Sequence, residues 1–211
     1  MKAHVLLILA CLLTTACSTN ISGQWEGDPP TAAPYKNILI VALVSSDNGR
    51  YTVERSLTDQ LRSSRTAASA SVTLAPKLDQ APRTQPEIIN MLQSSDADAL
   101  LVLKVRDAAT SLGKTQREKY FESHIKETSS DKDKDSWASV GSGETRDELP
   151  EIKITAEVTT TLYDVAENLR AVYSINTTTR YKDKGGEYIS VIAGEIATAV
   201  SSELRTQELI K

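Results

Sequence analysis

The sequence predicts an α+β domain, a mixed sheet of about five strands packed by two short helices and a long C-terminal helix. Three observations predict it. Ile38 to Val44 is an unbroken apolar run of strand length, which suits a strand covered on both faces. Ile152, Ile154, Ala156, Val158, Thr160 and Leu162 alternate with Lys153, Thr155, Glu157, Thr159 and Thr161, a period of two as in an antiparallel strand with one face buried. Ile189, Ile192, Ala193, Ile196, Val200 and Leu204 recur at three and four residues, the stripe of a long amphipathic helix.

The elements follow in order. Ser18 to Tyr35 is rich in Ser, Thr, Asn, Gly, Ala and Pro and shows neither period, so it reads as a flexible tether. The first core strand lies in Lys36 to Val44. After the turn material of Ser45 to Gly49, the fourfold spacing of Val53, Leu57 and Leu61 predicts a helix ending near Ser64. A second strand covers part of Ser69 to Ala75. Thr84, followed three residues later by Glu87, is a capping-box signature ahead of Ile88, Ile89 and Leu92 and predicts a short second helix. Ala99 to Val105 is the third strand. Gly113 to Pro150 is a long polar excursion with the mixed-charge run Asp131 to Asp135 at its centre. Ile152 to Leu162 and Leu169 to Arg180, joined by a turn at Asp164 to Asn168, form a hairpin. The C-terminal helix follows the turn at Lys182 to Gly186.

Composition narrows the function. The chain has 211 residues, 40% of them apolar, enough for one domain with its own core. Its 24 basic residues are interleaved with 28 acidic ones instead of clustering, which argues against nucleic acid as a partner. Cys11 and Cys17 both fall near the N-terminus. They leave the body of the chain without a thiol for a disulfide, so its stability rests on packing.

The N-terminus is the most informative segment. Lys2 supplies a positive charge and Val5 to Leu13 an apolar run of signal-peptide length, too short to span a bilayer. Leu13-Thr14-Thr15-Ala16-Cys17 resembles the lipobox of bacterial lipoproteins, with Thr14 where Leu is more usual. The resemblance implies cleavage after Ala16 and acylation of Cys17, giving a signal peptide over 1–16, a lipidated cysteine and tether over 17–35, and a single domain over 36–211. Removing residues 1–16 takes away Lys2 alone among the charges. One fewer than the 24 basic residues then faces 28 acidic ones, a net charge of −5. Ser18 stands where an Asp tends to hold enterobacterial lipoproteins at the inner membrane. This implies an outer-membrane location, with the membrane as a partner through the acyl chains on Cys17 and the periplasmic or surface orientation left open.

Two local patterns resemble a known domain group. Ser95-Asp96-Ala97-Asp98-Ala99-Leu100-Leu101-Val102 is similar to an Ala-Asp-Ala element leading into an apolar strand. Leu162-Tyr163-Asp164-Val165 with Leu169-Arg170-Ala171-Val172-Tyr173-Ser174 is similar to a hairpin in which Asp opens the turn and an aromatic-Ser pair sits on the return strand. Together with the element order they resemble the group that includes the TolB amino-terminal domain, the lipoprotein activators of penicillin-binding proteins and the periplasmic core of the curli channel. That resemblance implies an accessory role in an envelope assembly. The activators usually carry a much longer tether than Ser18 to Tyr35. A curli-type channel needs lipid-facing hairpins, and Arg117-Glu118-Lys119 and Asp131 to Asp135 are unsuited to face lipid.

Candidate chemistry is sparse. His124 is the one imidazole beyond the signal, and a lone His in a charged stretch reads as solvated. No catalytic residue, metal ligand set or cofactor site is expected: Ser139-Val140-Gly141-Ser142-Gly143 lacks the Lys of a phosphate loop, and the acidic residues of 131–151 lack calcium-loop spacing. Tyr120, Phe121 and Trp137 are large aromatics in polar sequence. They are the candidate contacts for a protein partner, with packing back on the domain as the alternative. The expectation is a non-catalytic envelope lipoprotein that binds a partner or, alternatively, assembles into a ring.

Overall fold

The computed structural model describes residues 17–44, 46–74, 85–112, 152–183 and 188–211. Strands β1 (Ser18–Trp25), β2 (Asn37–Leu43), β3 (Ala67–Ala70), β4 (Ala99–Leu112), β5 (Ile152–Asp164) and β6 (Arg170–Asp183) form one mixed sheet in the order β1-β6-β5-β4-β2-β3. Helices α1 (Asp47–Ser63), α2 (Ser71–Leu74), α3 (Gln85–Ser95) and α4 (Tyr188–Thr206) complete the described residues. The α+β class is as the sequence predicts, with one strand more.

Two parallel crossovers build one half. β2 runs between β3 and β4 and is parallel to both. Right-handed crossovers that step first one way and then the other place their helices on opposite faces. Accordingly Leu57 and Leu61 of α1 join Ile38, Ile40, Leu101 and Leu103 in the larger core, while Met91 and Leu92 of α3 meet Leu39, Val41 and Leu100 in a smaller one. That two-sided burial is why β2 has no polar alternation. Ser46 caps α1, its hydroxyl accepting from the Gly49 amide at 3.0 Å.

The other half is antiparallel. β4, β5, β6 and β1 pair in succession, and α4 lies on the α1 face with Ile192, Ile196, Val200 and Leu204 in the larger core. β4 continues past the expected Val105 to Leu112, through a register shift between Val105 and Asp107 where alternation is lost. The second strand ends early, at Ala70, and Ser71–Leu74 turns into α2.

Both recognised aspartate motifs are clamps. The Asp98 carboxylate accepts from the Lys36 and Asn37 amides, each at 2.9 Å, and fixes the start of β2. Asp164, fully buried, accepts from the Glu167 amide at 3.1 Å and closes its own turn. Its second oxygen accepts the Tyr35 hydroxyl at 2.8 Å.

The tether reading is corrected at its first half. Ser18–Trp25 is not a tether but edge strand β1, in antiparallel register from Ser18 opposite Arg180 to Trp25 opposite Tyr173. An edge strand held through backbone bonds buries little, and seven of the eight residues of β1 are exposed, so no apolar period marks it. Gly23 is required there. A Cβ on it would lie 2.1 Å from the Tyr173 hydroxyl, which occupies that space to donate to Glu203 Oε1 at 2.6 Å. The remainder is also tied down, for Tyr35 is 1% exposed and its amide donates to the Leu209 carbonyl at 2.9 Å.

Candidate membrane-anchoring site

Cys17 is one residue from the sheet. Because Ser18 already pairs with Arg180, no free chain separates the cysteine from the folded domain. Its side chain is half-buried and packs against the larger core. Burial, and then the nearby Glu195 carboxylate, push the thiol above its ordinary value, so an unmodified Cys17 is protonated at neutral pH and a poor nucleophile. Glu195 lies in the second turn of α4, and Glu203 further along meets the Gly23 end of β1. β1 and α4 therefore run the same way, with Cys17 beside the start of α4.

The same end of the sheet receives the last pairs of the long strands. Leu112 pairs with Ile152 and Ile152 with Asp183, so the chain leaves β4 and enters β5 on the Cys17 side. Tyr120, Phe121, Trp137 and His124, with the polar stretch 113–150, lie outside the described residues, as do residues 1–16, read from the sequence as a signal peptide.

The opposite end carries a feature the sequence reading passed over. A cleft of about 400 Å³ is lined by Trp25, Pro30, Pro34, Arg205 and Leu209 among others. Trp25 stands edge-on to Tyr173, ring centres 4.9 Å apart and planes at 68°, and stays 37% exposed. The criterion that singled out Tyr120, Phe121 and Trp137, an aromatic in polar sequence, applies equally to Trp25. The tether reading hid it.

Among the described residues no group of three or more His, Cys, Asp or Glu side chains is placed to hold a metal ion, and no helix is long and apolar enough to cross a membrane. The buried carboxylate of Glu54 has all its work inside the fold. It accepts from the Ala42 amide (2.9 Å), the Ser71 hydroxyl (2.6 Å), the Val72 amide (2.7 Å) and Arg50 Nε (3.2 Å). This joins β2, α1 and α2.

No protein-family model and no curated protein sequence matches this chain. Solved structures do. The PelC dodecamer from Paraburkholderia phytofirmans is 14% identical with a TM-score of 0.47, covering 87% of this chain and 96% of that one. Lipoprotein GNA1162 from Neisseria meningitidis is 15% identical with a TM-score of 0.44, over 81% and 99% of the two chains. A minor lipoprotein from Acinetobacter baumannii is 12% identical with a TM-score of 0.40, over 84% and 98%.

Proposed function

We propose that this protein is a lipid-anchored envelope lipoprotein that acts without catalysis, as a binding or accessory subunit of a cell-envelope assembly. One observation carries the reading: the lipobox-like run ends at Cys17, and the folded sheet begins at the next residue. Acyl chains on Cys17 hold the domain to a membrane, and the sheet with its helices is the rigid platform that meets the partner. Ser18 after the cysteine favours the outer membrane, with the domain on its periplasmic side. Regulation of peptidoglycan synthesis is the finer version, drawn from the domain resemblance.

The test is a pull-down from crosslinked envelopes with the full-length protein and with Cys17→Ser. A partner captured by the anchored protein and lost with Cys17→Ser supports recruitment at the membrane. Failure to bind or stimulate any peptidoglycan synthase removes the finer version.

A second reading, a ring-forming structural subunit, rests on β1. Among the described residues no strand lies beyond it, and Ile21 beside that open edge is 41% exposed. Light scattering on the purified protein decides it: a single defined oligomer favours the ring, a monomer the accessory subunit.

A further inference from the structure

Two of the exposed large apolar side chains stand together on one helix. Tyr188 and Val191, each 39% exposed, stand in the first turn of α4. With Glu195 they repeat at three and four residues, a stripe separate from the buried Ile192, Ile196 and Val200. Glu195 is the residue of α4 whose charge reaches Cys17, so the pair sits beside the anchor, on the side where the strands run on toward Asp183. On the neighbouring strand β6, Arg180 and Lys182 are exposed on the sheet face turned away from α4, with Arg180 level with Ser18. Glu195 is the acidic side chain facing the cysteine; Arg180 and Lys182 lie across the sheet from it.

We infer that the phospholipid bilayer is a second ligand of the folded domain, taken by Tyr188 and Val191 beside the acylated Cys17, with Arg180 and Lys182 toward the headgroups. The inference rests on the lipid-anchor reading above and goes beyond it by fixing an orientation. An amphipathic tyrosine and an apolar neighbour suit the interfacial layer, and basic side chains suit anionic headgroups. With no slack between Cys17 and β1, the acyl chains hold these side chains at the surface at high effective concentration, so weak individual contacts suffice. The strands then stand on the membrane, and the Trp25 cleft, eight residues up β1 at about 3.3 Å each, is held roughly 25 Å away from it.

The experiment uses the acylated full-length protein in vesicles of equal parts phosphatidylethanolamine and phosphatidylglycerol, with nitroxide labels on Val191→Cys and, as a distal control, Thr206→Cys. Acylation of Cys17 is verified by mass in each sample. Oxygen collision rates at residue 191 severalfold above those at residue 206, with reduced access to a water-soluble nickel complex, are the expected result. Equal, aqueous accessibility at both positions with Cys17 acylated overturns the orientation and leaves the anchor standing. An unacylated Cys17 overturns both.

Discussion

Glu54 gives the sharpest quantitative test of how the fold is held. Its carboxylate is wholly buried and accepts from four donors, two of them the backbone amides of Ala42 and Val72. Glu54→Gln preserves shape but replaces one oxygen by an amide nitrogen, which must then face an N–H donor, and removes the negative partner of Arg50. One orphaned buried donor costs about 1–3 kcal/mol, so with the lost ion pair the variant should be destabilised by about 2–3 kcal/mol. Glu54→Leu strips the acceptor from both amides and leaves Arg50 uncompensated, for about 4–6 kcal/mol, comparable with the whole stability of many domains. Urea unfolding of the unacylated Cys17→Ser protein reads this. At a slope of about 2 kcal/mol per molar, Glu54→Gln should lower the midpoint by about 1 M with the slope unchanged. A midpoint within about 0.2 M of the parent would refute the claim that these four bonds carry the junction of β2, α1 and α2.

Further outcomes follow from the same contacts. Burial, with the Asp164 carboxylate adding to it, holds the Tyr35 phenol far above its ordinary value, and burial with Glu203 does the same for Tyr173. Both stay protonated in the fold where the unfolded chain ionises near pH 10. Stability is therefore full below that pH and falls above it, by up to about 1.4 kcal/mol per pH unit for each tyrosine, and Tyr35→Phe should flatten the alkaline limb of urea midpoints measured against pH. At neutral pH the same substitution leaves the buried Asp164 oxygen short of a donor and should cost about 1–3 kcal/mol by urea unfolding. Gly23→Val drives a side chain into the Tyr173 hydroxyl and should lower stability by about 1–3 kcal/mol while raising hydrogen exchange across Ser18–Trp25 more than across β5. Asp98→Ala frees the Lys36 and Asn37 amides and should cost about 1–3 kcal/mol by thermal unfolding.

The core was legible where packing writes a period. Ile38 to Val44, Ile152 to Leu162 and the stripe from Ile189 to Leu204 each carry their burial in their spacing, and all three became the elements expected. β1 was not, because a strand that pairs through its backbone at an exposed edge has no need of alternating side chains. The end of β4 escaped for a related reason, since the irregularity after Val105 breaks the period while the ladder continues. Glu54 was silent too: one acidic residue on a helix reads as surface, and its burial arises only when Ser71 and Val72 come back to meet it. At the proposed anchor, Cys17 was singled out by the lipobox-like run, but its direct attachment to the sheet depended on β1, and the neighbouring pair Tyr188 and Val191 depended on the direction of α4. Asp98 and Asp164 were noticed as motifs; the structure gives their reason as backbone clamps.

Mass spectrometry of the N-terminal peptide of the protein isolated from membranes tests the central claim most directly. The account predicts a mature chain beginning at Cys17, with acyl groups on that residue and Ser18 next. A chain that begins elsewhere, or an unmodified Cys17, would contradict it.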